Sequence, residues 1–453
     1  MATSIEKPNV IVFFTDQQRW DTTGVHGNPL QLTPNFDRVA ENGTHVNHSF
    51  TCQPVCAPAR SSLQTGLYAT ETGVYRNAIP LSKDHKTLAH HFNEHGYQTS
   101  YIGKWHLAES EPVQEEDRGG YQHWLGANLL EFTSDSYDTV LYNNQNEAVK
   151  LPGYRVDAIT DKAIEYINHH QHAPFYLFLS YIEPHHQNHL DNYPAPDGYE
   201  ERYTGRWLPP DLAALGGTAH QHIAGYYGMV KKLDEAFGRL LDALKSLNLT
   251  EKTIVLFTSD HGNHFKTRNS EYKRSCHDSS IRVPTALTGP GFNGGGKIDQ
   301  LVSLVDLPPT LLDAAGIPVP EKMQGRSLLQ LLDREQDDWQ SDVFIQISES
   351  QIGRAIRTKR WKYGVTAIGQ NGWKAAASDL YTEEFLYDLQ ADPYELTNLV
   401  QLDTYEEIIA DLRERLRKRI FEVEGETPVI KPADSEPGGQ RRAFLERASK
   451  QST

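Results

Sequence analysis

Short apolar runs at Val10 to Phe14, Phe175 to Tyr181 and Thr253 to Phe257 have no alternating polar face. Continuous apolarity over so few residues predicts strands buried on both sides. A further strand is expected at Gln98 to Ile102, directly after Gly96. Between the strands the period changes to three and four. One helix is predicted from Thr33-Pro34 to the stop pair Asn42-Gly43, and another from Thr87 to His95. A third spans Arg155 to His169, with Ile159, Ala163 and Ile167 on one face. The longest runs from His220 to Leu247, with Ile223, Tyr227, Val230, Leu233, Phe237, Leu240 and Leu244 in register. Strands alternating with amphipathic helices predict an α/β fold whose sheet is covered on both faces. After Pro320 the texture shifts to short strands at Val343 to Ile347, Arg354 to Arg357, Trp361 to Val365 and Phe385 to Leu389, then a helix from Tyr405 to Arg417. The expected organisation is a large unit over residues 1–330, a small sheet with one helix over 331–421, and a polar, extended tail over 422–453.

Composition narrows the function classes. No apolar run among the 453 residues approaches the ~20 needed to span a bilayer, so a soluble protein is expected. The start, Met1 to Pro8, has no charged segment leading into an apolar one, which predicts a cytoplasmic location unless a leader was removed. Three cysteines cannot form a disulfide framework and agree with a reducing compartment. Cys52, Cys276 and His277 suggest no zinc site, because the spacing of Cys52 and Cys56 is not that of a two-residue knuckle. The net charge of −16 argues against nucleic acid as a partner. It does not exclude an anionic substrate, because a cleft focuses its own local field.

Cys56, Pro58, Arg60, Thr65 and Gly66 read C-x-P-x-R-x-x-x-x-T-G. This resembles the signature of the formylglycine-dependent sulfatases of the alkaline phosphatase superfamily, with Ala59 where that family usually has Ser. Thr33 to Arg38, Gly103-Lys104-Trp105-His106, Pro184-His185 and Ser259-Asp260-His261-Gly262 resemble further sulfatase blocks in the family's order. The resemblance implies a central mixed sheet flanked by helices, with a smaller C-terminal antiparallel sheet and helix. It also implies that a maturation enzyme oxidises Cys56 to an aldehyde, whose hydrate is the nucleophile, with a sulfate monoester as substrate.

Asp16 and Gln17 follow one predicted strand and Asp260 and His261 follow another, where open α/β sheets place their ligands. By resemblance these four, with residue 56, hold a divalent cation. Calcium is the first expectation, and the imidazole keeps manganese open beside magnesium. Gln17 and His261 depart from the commonest family pattern and resemble the phosphonate monoester hydrolase and choline sulfatase branches. Pro58 places Cys56 at a helix start that favours an anion. Lys104 and His106, two apart, share a side if the segment is extended. The resemblance gives Lys104 to a sulfate oxygen, His106 to the aldehyde hydrate as base, and His185 or Lys273 to the departing alcohol. Arg60 belongs beside the hydrate and Asn77 on the substrate side, with Lys104, His185 and Lys273. Arg354 and Arg357, near Trp361 and Trp373, suggest a sugar-like or carboxylated partner for the C-terminal unit. The expected activity is hydrolysis of a carbohydrate sulfate; a phosphonate or phosphate ester hydrolase and an aryl- or choline-type sulfatase are the alternatives. A homo-oligomer is left open.

Overall fold

The computed structural model describes residues 7–332 and 338–433. Ten strands form one mixed sheet: β1 Asn9–Thr15, β2 Thr44–Phe50, β3 Gln98–Lys104, β4 His123–Ala127, β5 Thr139–Tyr142, β6 Ala148–Leu151, β7 Phe175–Ser180, β8 Thr253–Ser259, β9 Ala286–Thr288 and β10 Gly296–Ser303. Their order is β10-β2-β9-β8-β1-β7-β3-β4-β5-β6. The continuously apolar runs occupy the centre, where β8, β1, β7, β3 and β4 are mutually parallel and β1, β7 and β8 are buried throughout.

The period of two divides the central strands between two cores. Ile11, Phe13, Val255 and Phe257 face helices Pro34–Asn42, Arg155–His170 and Ala219–Ser246, through Phe36, Ile159, Leu233 and Phe237. Val10, Val12, Phe14 and Leu256 face the other way, onto Ala57, Ala59 and Leu63 of helix Cys56–Thr65 and onto Leu88 and Phe92. The parallel register brings Thr15, Gly103, Ser180 and Ser259 to one edge, and the chain leaves all four strands there. Gly103 has φ +114°, and a Cβ there would lie 1.8 Å from the Ser180 carbonyl oxygen. Only glycine lets β3 approach β7 so closely just before Lys104.

A second sheet contains β11 Asp342–Ile347, β12 Gly353–Thr358, β13 Trp361–Thr366, β14 Leu380–Asp388 and β15 Val429–Lys431, in that order. Its first four strands are antiparallel. Phe344, Ile356, Tyr363 and Leu386 share one continuous core with Val10 and Leu63, so the small sheet buries its apolar face against the large unit. No helix among the described residues is long and apolar enough to cross a membrane.

Two expectations are corrected in this region. The chain beyond residue 422 is not a polar tail from its start. The last helix spans Glu406–Glu424, because Ile420 continues the buried series Ile409, Leu412 and Leu416. Gly425, at φ +77°, then ends it, and β15 pairs with Leu380 to Thr382. The part of the expected tail at 434–453 lies outside the described residues. Arg354 and Arg357 are buried rather than presented to a ligand. Arg354 is 2.7 Å from Glu424 of the last helix and Arg357 is 3.2 Å from Asp278 of the large unit, so one ties the small sheet to its helix and the other ties it to the large unit.

Candidate active site

Cys56 opens helix Cys56–Thr65 after the extended residue Val55, with Pro58 in the first turn. The Ala57 N–H, one of the orphan donors of that turn, donates to Asn77 Oδ1 at 3.0 Å. The Cys56 sulfur is ringed by polar groups. Lys273 Nζ is at 2.8 Å, His261 Nε2 at 3.4 Å, Asp16 Oδ1 at 3.8 Å and Lys104 Nζ at 3.9 Å. His106 lines the cleft beside it and also acts to lower the thiol. All three cysteines are buried, but their thiols differ. Burial pushes Cys52 up to about 11 and Cys276 up to about 12. At Cys56 burial acts the same way and is overcome by Lys104, Lys273 and His261, which hold the thiol well below its ordinary range.

Ligand atoms of Asp16, Cys56, Asp260 and His261 all lie within 4.8 Å of one another. Asp260 Oδ1 accepts from the N–H groups of Gln17 at 3.0 Å and His261 at 2.8 Å. His261 Nδ1 donates to the Gly262 carbonyl at 2.9 Å, which turns the Nε2 lone pair inward. Arg60 sends Nη2 to Asp16 at 2.9 Å and to Asp260 at 3.5 Å, and Nη1 to the Lys104 carbonyl and the Ser180 hydroxyl. Burial, then the charge of Asp16, pushes the Asp260 carboxyl up to about 7. Burial and the Cys56 thiolate act upward on Asp16 as well, but Lys104 and Arg60 hold it well below the carboxylate range. Two fully buried carboxylates, one of them inclined to keep a proton, beside an inward imidazole nitrogen form a donor set that a dication fits. Gln17 joins through its backbone at φ +68°. Its Oε1 is 3.4 Å from His186 Nδ1, and its Nε2 is buried without a hydrogen-bond partner in the structure.

Lys104 and His106 reach the site by a route the extended reading missed. β3 ends at Lys104, and His106 has φ +63°, a left-handed turn fixed by its N–H donating to the Asn128 carbonyl at 2.9 Å. Lys104 Nζ bridges Asp16 at 2.8 Å and Glu131 at 3.0 Å. Burial pulls its ammonium down, and Asp16, Cys56 and Glu131 more than offset that, leaving it above its ordinary value. Lys273, from the loop after β8, touches His261 Nε2 at 3.0 Å and His185 Nε2 at 3.3 Å. His185 Nδ1 donates to the His186 carbonyl at 2.6 Å. Asn77, His106, His185 and Lys273 line an open cleft of about 610 Å³ that leads to Cys56, with Phe132 and Tyr272 along its wall. His186 also faces the cleft, whereas His189 is exposed beside Asp135. Glu131, buried on a short helix after β4, escaped the sequence reading because no motif marks it and its partners come from another strand end.

The family model described as Sulfatase matches residues 8–317, and that of N-sulphoglucosamine sulphohydrolase, C-terminal, matches residues 270–422. The chain is 30% identical over 437 residues to the ulvan-active sulfatase of Formosa agariphila, covering 92% of this chain and 82% of that protein. Against the N-acetylglucosamine-6-O-sulfatase of Bacteroides thetaiotaomicron it is 26% identical over 474 residues, covering 87% and 83% respectively. The crystal structure of a candidate sulfatase from Bacteroides fragilis superposes with a TM-score of 0.79 at 26% identity, covering 94% of this chain and 97% of that one.

Proposed function

Because the chain belongs to the sulfatase family and hydrolyses sulfate esters, we propose that its substrate is a sulfated carbohydrate, that Cys56 acts as formylglycine after a maturation enzyme oxidises it, and that Asp16, Cys56, Asp260 and His261 hold a divalent cation, with Gln17 beside them. The observation that carries this reading is the convergence of Lys104, Lys273, His261 and His106 on one buried sulfur at a helix N-terminus. A relative named for N-acetylglucosamine-6-O-sulfate supports the carbohydrate. Calcium suits the buried carboxylates, and the inward nitrogen of His261 keeps manganese, beside magnesium, as the alternative that elemental analysis distinguishes.

The bound cation would supply positive charge that favours an ionised hydroxyl at residue 56 and draws electron density from the sulfate. The hydrated aldehyde offers two hydroxyls on one carbon: one attacks sulfur, and loss of a proton from the other expels sulfate and restores the carbonyl. Lys104 and Lys273 hold the sulfate oxygens over the N-terminus of helix Cys56–Thr65, where the helix dipole adds partial positive charge. Lys273, with His185 behind it, hands a proton to the departing alcohol. His106 removes the proton from the second hydroxyl. Asn77 has its carbonyl oxygen committed to the helix start and offers only its remaining amide face to the cleft.

The test is a screen of sulfated mono- and oligosaccharides with enzyme co-produced with a formylglycine-generating partner. Release of sulfate from none of them, with turnover of an aryl sulfate, would overturn the carbohydrate assignment. Gln17 and His261 favour one further arm, a phenyl phosphonate ester; preferential cleavage of it would make the chain a phosphonate hydrolase on the same site.

A further inference from the structure

Glu131 is a buried carboxylate to which the reaction above gives no task. It sits on helix Leu130–Thr133, directly after β4, and is 3% exposed. Its segment is pinned to the strand end that carries His106. The His106 N–H donates to the Asn128 carbonyl at 2.9 Å, the N–H groups of Asn128 and Leu129 donate to Glu111 Oε2 at 2.6 and 3.1 Å, and Gln187 Nε2 donates to the Glu131 carbonyl at 2.9 Å. Of the two side-chain oxygens, Oε1 lies 3.0 Å from Lys104 Nζ and 3.6 Å from His106 Nδ1. Glu131 Oε2 and His106 Nδ1 are both buried without a hydrogen-bond partner in the structure. Unsatisfied buried polar atoms are costly, and here the unpartnered His106 Nδ1 stands 3.6 Å from Oε1 of a carboxylate whose other oxygen is also unpartnered, a gap that a small side-chain rotation closes. Such contacts are often long before substrate binds. Burial works to raise the Glu131 carboxyl, but Lys104 and then His106 hold it below its ordinary value. It therefore stays ionised and can only accept a hydrogen bond.

We propose that Glu131 is the positioning residue of His106, fixing the tautomer in which Nδ1 carries the proton and Nε2 presents its lone pair to the hydroxyl on residue 56. The ring nitrogen that acts is set by the bond the other one makes. The step concerned is the second half of the reaction. The remaining O–H gives its proton to His106 Nε2, its electron pair becomes the C=O bond, and the carbon–oxygen bond to sulfate breaks with sulfate leaving as the anion. The inference rests on residue 56 acting as formylglycine.

Lys104 acts on the bound sulfate before the S–O bond breaks, whereas His106 acts afterwards, so kinetics separate a partner of one from a partner of the other. On an activated aryl sulfate, Glu131→Gln is expected to lower kcat ~10-fold or more and to leave kcat/KM within about threefold. The first turnover then appears as a burst of phenol close to the enzyme concentration. Acid-quenched protein carries about 80 Da of retained sulfonate on the residue-56 peptide, the mass of SO₃ kept on the attacking hydroxyl. His106→Ala shows the same signature, and the double variant is no worse than His106→Ala alone, as expected of two groups acting as one unit. Should the glutamine variant not fold, Glu131→Asp, which withdraws the carboxylate by one methylene, is expected to give the same split in smaller measure. Parallel loss of kcat and kcat/KM without a burst would place Glu131 with Lys104 and overturn the proposal, and so would unchanged kinetics. The peptide from active wild-type enzyme is read separately: an unmodified Cys56 there defeats the formylglycine reading itself, whatever Glu131→Gln does.

Discussion

Lys273 and His185 stand side by side, yet only one proton lies between them. His185 Nδ1 is committed to the His186 carbonyl at 2.6 Å, so Nε2 is the acceptor in the 3.3 Å contact with Lys273 Nζ. Burial, then the Lys273 charge, holds the imidazole below its ordinary value, and it is neutral at neutral pH. Lys273 is the member with protons to give, and His185 aims it. Burial pulls the Lys273 ammonium down while the Cys56 thiolate, Asp16 and Asp260 raise it above its ordinary value. Conversion of Cys56 to an uncharged hydrate removes the largest of those raising charges, which moves Lys273 toward the range of a useful acid. Lys273→Met keeps most of the stem and removes the proton. General acid assistance is worth ~10² to 10⁴ in rate, which at 1.36 kcal/mol per decade is about 3 to 5 kcal/mol. A sugar hydroxyl leaves poorly as its anion and needs that proton; a nitrophenolate does not. The variant is expected to lose ~10³ in kcat/KM on a sulfated monosaccharide and about tenfold on a nitrophenyl sulfate, the smaller loss reflecting the missing charge beside the sulfate. The assay is kcat/KM across a series of leaving groups, in which the dependence on alcohol pKa steepens. Equal losses on both substrates would mean that Lys273 only holds sulfate, and the acid would have to be sought at His186, the next imidazole along the cleft.

Co-production with a maturation enzyme is expected to lower the mass of the Cys56 peptide by about 18 Da, sulfur exchanged for oxygen with loss of two hydrogens; fully active protein with an unmodified thiol would exclude the aldehyde. Because the Asp260 carboxyl is pushed up to about 7 by burial and Asp16, an entering cation must displace a proton, so metal affinity is expected to fall as pH drops through about 7. Calorimetry in buffers of different ionisation enthalpy reads that proton release, and an affinity that stays flat on acidification would contradict it. Chelation is expected to abolish turnover, and Asp260→Ala to abolish it with poor rescue by added metal; full activity in excess chelator would refute the metal. Arg60→Leu leaves Asp16 and Asp260 buried without their guanidinium, so the metal-free variant is expected to lose about 3 to 5 kcal/mol in chemical denaturation and to regain part of it with a divalent cation. Wild-type stability in that variant would show that the carboxylates do not rely on Arg60.

The central strands and the long helices were legible in the sequence because burial imposes a period that composition cannot mimic. The Val10, Phe175 and Thr253 runs became β1, β7 and β8, and Ile223 to Leu244 became the buried face of helix Ala219–Ser246. The elements that escaped notice carry no such period. β2 reads Thr44-His45-Val46-Asn47-His48-Ser49-Phe50 and is a strand because β10 and β9 hydrogen-bond to its two sides. The end of the last helix was placed too early because Glu422 and Glu424 look like tail residues. Glu424 is held by Arg354 at 2.7 Å and Gln346 at 2.6 Å, partners whose position only the folded sheet determines.

The candidate site divides along the same physical line. Residues that must be one chemical type at a strand end or a helix start, such as Asp16, Lys104 and Asp260 or Cys56, are visible one at a time, since their chemistry tolerates few substitutes. Their partners are not, because a buried charge needs only an opposite charge nearby and any element can bring it. Glu131 arrives from the segment after β4 to meet Lys104. Glu349, from the loop after β11, accepts the Asn77 N–H at 2.7 Å and also pairs with Arg274. Asn77 in turn holds the first turn of the Cys56 helix, and Arg274 adjoins Lys273. The segment after β11 therefore reaches the Cys56 helix and the neighbour of Lys273 through one carboxylate, although among the described residues the small sheet contributes no group that touches the sulfur. Its tight packing on the large unit has a structural consequence: Glu349 ties the segment after β11 both to Asn77, at the start of the Cys56 helix, and to Arg274, beside Lys273.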